Sequence, residues 1–194
     1  MRRWKATFRA IRTHNTAKFV SLRPQKPELT QLDKARQEVL KLYGNRLRLR
    51  VCGVCIENDR ILMLRHRGIN GTDTFWCPPG GGMQFGETTH AALVREYQEE
   101  TGLEIAVLDL WFVNEFMQPP LHALELFFEV KIKGGKATIG TDPEMPMGQQ
   151  IIQEMRWMTF EEIKTYPPSQ VHSMFEHCHT LADLKQLKGY LCKE

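Results

Sequence analysis

Residues 80–103 read GGGMQFGETTHAALVREYQEETGL, a glycine-rich loop followed by the pattern of an amphipathic helix. The pattern predicts a helix over about residues 88–101, which Gly102 would end in a left-handed cap. Glu96, Glu99 and Glu100 stand at i, i+3 and i+4 and therefore share one patch. A divalent cation would remove their mutual repulsion, and oxygen ligands favour magnesium, manganese or calcium over zinc. From spacing alone, a solvated acidic face remains the alternative.

The same stretch resembles the signature of the Nudix family over 23 consecutive positions. The matching positions are Gly81, Glu87 after five residues, Arg95-Glu96 after seven more, Glu99-Glu100, Gly102 and Leu103. A looser resemblance covers about residues 46–165. It implies an α/β fold, a Nudix-type α/β/α sandwich with a mixed β-sheet and a catalytic loop-helix-loop. It also implies an enzyme, a pyrophosphohydrolase acting on phosphorus-containing acid anhydrides.

The resemblance further implies a role for each matching residue. Catalytic roles fall to Glu87, Arg95, Glu96, Glu99 and Glu100. Metal ligation falls to the last three glutamates and to the carbonyl of Gly80, with Mg²⁺ as the cofactor and Mn²⁺ as a substitute. Glu87 would support the ligand helix, and Arg95 would pair with it and orient the carboxylates. Gly81 and Gly102 would be structural.

The expected mechanism is attack on phosphorus by a water that a carboxylate activates, with magnesium neutralising the leaving group. In the family the general base is a glutamate of the signature or one on a later loop. Glu96 is the first choice within the helix. Glu144 and Glu154 are candidates for a later helper, although loop acids are ordinarily exposed surface residues.

The flanking sequence predicts strands on both sides of this helix. Runs of apolar residues, in part alternating with polar ones, predict strands over residues 46–57, 61–64, 105–116, 121–133 and 151–160. Helical spacing of the apolar residues predicts helices over residues 29–43 and 171–187. The predicted organisation is a basic extension with a packing helix (1–45), the Nudix hydrolase domain (46–170) and a C-terminal helix (171–194).

Charge is distributed unevenly along the chain. The net charge is +3, but residues 1–27 contain eight Lys and Arg and no acid, so the remainder carries 3 − 8 = −5. An acidic domain argues against a nucleic-acid footprint except through this basic arm. The favoured interpretation of the arm is a solvated extension on a cytoplasmic protein. The alternative is a transit peptide, which would place the protein in the mitochondrial matrix. No apolar run is long enough to predict a membrane span.

The five cysteines are odd in number and irregularly spaced. Cys52 and Cys55 have the spacing of a zinc knuckle, but an offset of three in a strand puts them on opposite faces, so buried thiols are the prediction. Near the C-terminus, His172, His177, Cys178 and His179 stay unassigned, with surface or capping roles favoured over metal binding. Most aromatic residues at positions 111–128 are predicted to be core rather than base-stacking residues.

The signature recognises only the diphosphate, so it leaves the rest of a small-molecule nucleotide substrate open. Pro119 follows Leu103 by sixteen residues, as in the ADP-ribose pyrophosphatase branch, although ordinary turn chemistry explains a Pro-Pro pair equally well. ADP-ribose and nucleotide sugars rank first, and damaged nucleoside triphosphates second. The alternatives are an RNA 5′-end pyrophosphohydrolase and a Nudix-fold nucleic-acid-binding regulatory module. A homodimer stays open.

Overall fold

The computed structural model describes residues 29–69, 73–140 and 150–192. The basic arm and Glu144 therefore lie outside the described residues. In chain order the elements are α1 (Gln31–Tyr43), β1 (Arg46–Val54), β2 (Ile56–Glu57), β3 (Arg60–His66), β4 (Phe75–Cys77), β5 (Gly80–Gly82), α2 (Thr89–Thr101), β6 (Leu103–Gln118), β7 (Leu121–Gly135), β8 (Ile152–Met158), α3 (Phe160–Lys164) and β9 (Gly189–Cys192).

The strands form two sheets. The first is mixed, with the order β5-β1-β7-β6-β9, in which β1 runs antiparallel to β5 and parallel to β7. The second is antiparallel and pairs β3 with β2, β4 and β8. The predicted α/β fold with a mixed sheet is confirmed. The strand predicted over residues 46–57 is wrong in one respect, because it breaks at Cys55 and its two parts join different sheets.

A cluster of buried side chains joins the two sheets. Phe112 and Phe127 of the first sheet stack with ring centroids 4.7 Å apart, and Met63 and Met158 of the second sheet belong to the same cluster. Cys52 lies in this cluster, whereas Cys55 lies in the cluster beneath α2. The two thiols are therefore buried on different sides of the sheet, as the offset of three predicts.

Helix α2 is fixed at both ends and along one face. The Thr88 hydroxyl accepts a hydrogen bond from Ala91 N at the first turn, and Gly102 ends the helix with φ 68°, the left-handed cap predicted from the sequence. On the inner face, Tyr97 is fully buried and its hydroxyl donates to Gly53 O at 2.6 Å. This contact holds the helix against β1, so the outer turn that bears the glutamates has a fixed position.

Helix α1 begins at a capping box and covers the edge of the core. Thr30 and Asp33 satisfy each other's backbone N–H groups at its first turn. Val39 and Tyr43 are buried, in a cluster that also contains Ile151. Gly44 ends the helix as predicted, but in an extended conformation. The helix lies before the region of Nudix resemblance and nonetheless packs on the domain.

The helix predicted over residues 171–187 is wrong. This segment contains 3₁₀ helices at Ser173–His177 and Leu181–Gln186, and the chain then enters β9. The buried hydrophobic residues are Val171, Met174, Phe175, Cys178, Leu181 and Leu184, most of them three positions apart. That spacing matches the three-residue turn of a 3₁₀ helix, in which residues i and i+3 eclipse, better than the 3.6-residue α-helical turn.

The strand predicted over residues 151–160 ends early. β8 stops at Met158, because Thr159 and Glu162 form a capping box that starts α3. Among the helices that the structure describes, none is long and apolar enough to cross a bilayer.

Met174→Ala is expected to destabilise the whole domain by about 2–5 kcal/mol, the usual cost of deleting a buried large side chain. Met174 has no exposed surface and packs in the cluster between the sheets. Urea unfolding followed by circular dichroism measures the effect, with the exposed Gln186→Ala as the control. Equal stability of the two variants would show that the C-terminal segment does not belong to the cooperative core.

Candidate active site

The three glutamates of α2 differ in exposure although they share one face. Glu96 is 8% exposed and Glu100 is 6% exposed, whereas Glu99 is only partly buried. Burial raises the pKa of the Glu96 carboxyl, against the opposing effect of Arg95. A buried carboxylate is costly unless it is paired, so these positions require a cationic partner.

Arg95 lies among the carboxylates. Its Nε and Nη2 donate to the two oxygens of Glu87 at 2.7 and 3.1 Å, a bidentate pair. Its Nη1 donates to Glu96 at 2.8 Å and to Glu99 at 3.0 Å. Hydrogen bonds from Arg95 lower the pKa of Glu87. The spacing of the glutamates predicts only mutual repulsion, and the positive charge of Arg95 offsets part of that repulsion.

The glycines before the helix allow its carboxylates to approach the backbone. Gly80 N donates to Glu100 Oε2 at 2.8 Å. A Cβ on Gly80, where φ is 148°, would lie 2.1 Å from Val51 O. A Cβ on Gly81 would lie 2.4 Å from the Glu96 carboxyl carbon. Residues with a Cβ would therefore displace the strand or the carboxylate.

A second polar cluster lies next to the carboxylates and was missed from the sequence. Arg50 Nη2 donates to Gly80 O at 3.0 Å, and Arg50 Nε lies 3.4 Å from Glu125 Oε1. The other oxygen of Glu125 accepts from Asn114 Nδ2 at 3.0 Å and lies 2.8 Å from His172 Nε2. Burial alone would raise the pKa of Glu125, yet His172, Arg50 and Asn114 hold it below its usual value.

One cavity of about 110 Å³ connects the two clusters. Glu96, Glu99 and Glu100 line one part of it, and Arg50 and Glu125 line another. An apolar wall completes it, formed by Val39 and Tyr43 of α1 with Phe116, Leu121 and Ile151. The cavity thus combines a carboxylate cluster, a buried ion pair and an apolar surface, a combination typical of small-molecule sites.

A family model of the NUDIX domain matches residues 46–176. The chain belongs to the Nudix family. It is 35% identical over 89 residues to an ADP-ribose pyrophosphatase of Methanocaldococcus jannaschii, a match covering 45% of this chain and 53% of the relative. It is 25% identical over 115 residues to Nudix hydrolase 10 of Arabidopsis thaliana, covering 59% of this chain and 39% of the relative. The chain thus spans about half or less of the length of these two curated relatives.

The fold also resembles a solved UDP-X diphosphatase, with a TM-score of 0.56 and 20% sequence identity, over 84% of this chain and 76% of that chain. At this identity the likeness concerns the fold alone. It agrees with the two-sheet arrangement described above.

The donor set of this Nudix site suits a hard cation, although its atoms are not gathered as they would be around one. Within residues 29–69, 73–140 and 150–192, no three His, Cys, Asp or Glu side chains are placed to hold a metal ion as they stand. The reason is visible in the site, because Arg95 Nη1 occupies the space between Glu96 and Glu99. Buried carboxylates beside a cradle that a Cβ would fill have the oxygen chemistry that suits magnesium, which would take the place that Arg95 Nη1 holds between Glu96 and Glu99.

The remaining sequence candidates lie elsewhere. Glu154 is outside the cavity, where it pairs with Arg65 and Arg156. His172 caps a 3₁₀ helix, as the capping alternative predicted, but it is buried rather than on the surface. Pro119 and Pro120 form the connection between β6 and β7.

Proposed function

We propose that this Nudix chain is a magnesium-dependent pyrophosphohydrolase that cleaves the pyrophosphate bond of a nucleoside diphosphate linked to another moiety. The observation that carries the proposal is the continuous cavity. The carboxylate cluster opens into a space that continues past Arg50 to the apolar wall at Val39 and Tyr43. A substrate that extends beyond its diphosphate would lie along this lining, with one end at the glutamates.

Magnesium would be held by Glu96, Glu99, Glu100 and the carbonyl of Gly80. When bound, it supplies charge neutralisation at the diphosphate and lowers the pKa of the attacking water. Manganese has the same preference for oxygen ligands and is expected to substitute.

Glu96 is the first choice for the general base. Its carboxyl is buried and lines the cavity that would hold the diphosphate, which is where a base for the attacking water is needed. Arg95 orients it through the bond to Oε1, and Glu87 holds Arg95 through the bidentate pair. The contacts of Arg95 with Glu96 and of Glu87 with Arg95 would thus hold the Glu96 carboxylate in a fixed orientation at the cavity.

ADP-ribose and nucleotide sugars remain the first-ranked substrates. The similarity to the archaeal ADP-ribose pyrophosphatase supports this order. The apolar wall supports it as well, since a nucleoside or sugar needs a surface beyond the phosphates. Damaged nucleoside triphosphates rank second.

The test is a panel of compounds incubated with the full chain and millimolar magnesium chloride. The panel contains ADP-ribose, a UDP-sugar, 8-oxo-dGTP and RNA with a 5′ triphosphate, and the products are separated by ion-exchange chromatography. Release of AMP or UMP as the fastest reaction supports the proposal. Preference for 8-oxo-dGTP or for RNA would instead select one of the alternatives.

A chain that begins at Leu29 is expected to keep its turnover on small substrates within a factor of about two. Residues 1–28 precede the capping box of α1, whereas α1 itself lines the cavity and is retained. Steady-state rates of the truncated and full chains on ADP-ribose measure this. Near-complete loss of activity in a truncated protein with unchanged circular dichroism would place the basic arm in the site.

A further inference from the structure

We propose that Arg50 is the residue with which the chain itself binds the substrate's diphosphate, next to the carboxylate cluster. The inference rests on the proposed function and names a specificity-determining residue outside the Nudix signature. Arg50 lies in β1 and reaches the cavity from the sheet, not from the catalytic helix.

Arg50 has N–H donors that are not used by the protein's own acceptors. A guanidinium has five N–H groups. To the residues that the structure describes, the Arg50 guanidinium donates one hydrogen bond, from Nη2 to Gly80 O at 3.0 Å. Its buried Nε lacks a hydrogen-bond partner of suitable geometry, with Glu125 Oε1 at 3.4 Å. Nη1 donates no hydrogen bond to these residues and, unlike the buried Nε, keeps its N–H groups accessible at the cavity that Arg50 lines.

Arg95 provides the contrast. Its Nε, Nη1 and Nη2 together make five hydrogen bonds, to Glu87, Glu96, Glu99 and Gly82 O. That guanidinium is occupied by the protein's own acceptors. It orients the carboxylates and has no N–H left for a phosphate in this arrangement.

Arg50 is held in position by Glu125, which is itself held by other buried residues. Glu125 Oε2 is taken by Asn114 and His172, which leaves Oε1 facing the arginine. His172 Nδ1 accepts from Met174 N at 3.1 Å, so in the neutral ring Nε2 bears the proton and donates to Glu125. The 3₁₀ segment thus fixes Glu125, and Glu125 fixes Arg50. A preorganised guanidinium loses little side-chain entropy when an anion binds.

Arg50 also lies in the right place, next to the carboxylate cluster. Arg50 bonds to the oxygen of Gly80, and the nitrogen of Gly80 bonds to Glu100 Oε2 at 2.8 Å. Gly80, whose carbonyl is itself a proposed metal ligand, therefore joins the guanidinium to Glu100. A diphosphate held at the carboxylate cluster would lie beside Arg50, and a planar guanidinium matches two phosphate oxygens.

The test measures binding of α,β-methylene-ADP, a non-hydrolysable diphosphate, to the full chain in the presence of magnesium by titration calorimetry. Arg50→Gln is expected to weaken binding roughly 10- to 100-fold, as for the loss of hydrogen bonds to a charged group. Arg50→Lys keeps the charge but not the fork and should recover only part of the affinity. On ADP-ribose, KM should rise more than kcat falls.

Arg65→Gln is the matched control. Arg65 also lies in a strand and pairs with a glutamate, Glu154, at 3.1 Å, but it does not line the cavity. Its loss should change affinity for the probe by less than about twofold, the size of effect typical of a half-exposed pair.

The double variant Arg50→Gln/Glu125→Gln guards against misfolding, because the single variant leaves the buried Glu125 without its cation. If the folded double variant binds α,β-methylene-ADP as the parent does, or if the parent does not bind it at all, the proposal is overturned. Hydrolysis of the substrate panel by the parent tests the proposed function independently of this binding result. An enzyme that turns over ADP-ribose with parental KM in Arg50→Gln would refute the role of Arg50 and leave the proposed function intact.

Discussion

Removal of divalent cations with EDTA is expected to lower hydrolysis by at least ~1000-fold, since metal ions usually supply several kcal/mol of transition-state stabilisation. Neither Arg95 nor Arg50 is expected to replace the metal. Arg95 is saturated by the carboxylates and Gly82 O, and Arg50 shares its charge with Glu125. Millimolar magnesium or manganese should restore the rate.

The protein should stay folded during this experiment. In the described arrangement Arg95 bridges Glu87, Glu96 and Glu99, so the cluster has an internal cation when no metal is supplied. Circular dichroism and thermal unfolding with and without EDTA provide the control. Full activity in metal-free buffer would contradict the metal assignment, and loss of structure in EDTA would contradict the role given to Arg95.

The catalytic helix could be predicted from the sequence because its signals are local. Thr88 caps the start of the helix, Gly102 caps its end, and Leu93 marks its buried face. Each of these signals acts within about one turn of the residue that carries it. The glutamate patch follows from helix geometry alone, since residues three and four apart share a face. The fold class followed from the same signature, through the family that it resembles.

The buried polar cluster could not be predicted in the same way. Its members Arg50, Asn114, Glu125 and His172 come from β1, β6, β7 and the C-terminal segment, and only the tertiary fold brings them together. One signal was present. Glu125 occupies the alternate position of β7 between the buried Ala123 and Phe127, so it is an acid between two apolar residues of one strand face.

Strand β1 shows why that signal is hard to use. Its alternation of arginines and leucines ordinarily indicates leucines inside and arginines in solvent. Here Leu47 and Leu49 are 61% and 45% exposed, and Arg48 and Arg50 line the cavity. The period of the pattern identifies a strand, but only the cavity explains which face is inside.

The three glutamates of α2 are expected to separate stability from turnover. Glu96→Gln, Glu99→Gln and Glu100→Gln each keep the size of the side chain and remove a negative charge. Loss of a metal ligand or of the base should lower kcat by about a hundredfold or more. Gln98→Ala, exposed on the same helix, is the control and should stay within a factor of about three of the parent, as surface substitutions usually do.

Repulsion alone would predict a small gain in stability for all three variants in metal-free buffer. The contacts of Arg95 change that expectation, because Glu96→Gln and Glu99→Gln each lose a charge-assisted bond from Nη1. For Glu99→Gln, whose pair is partly exposed, we expect a loss of up to about 1 kcal/mol. For the buried Glu96 the lost bond is offset in part because a charge no longer has to be buried, so we expect a loss of similar size. Glu100→Gln can keep its bond from Gly80 N through the amide oxygen. Its stability should be unchanged or higher by a few tenths of a kcal/mol.

Magnesium-induced stabilisation decides between a metal site and a solvated acidic face. The thermal midpoint of the parent and of Gln98→Ala should rise with millimolar magnesium, because a ligand that binds only the folded state stabilises it. The rise should be reduced in each of the three glutamine variants, where one oxygen ligand has lost its charge. If all three variants keep both near-parental turnover and the full magnesium response, the glutamates are a solvated face and the catalytic assignment of α2 is wrong.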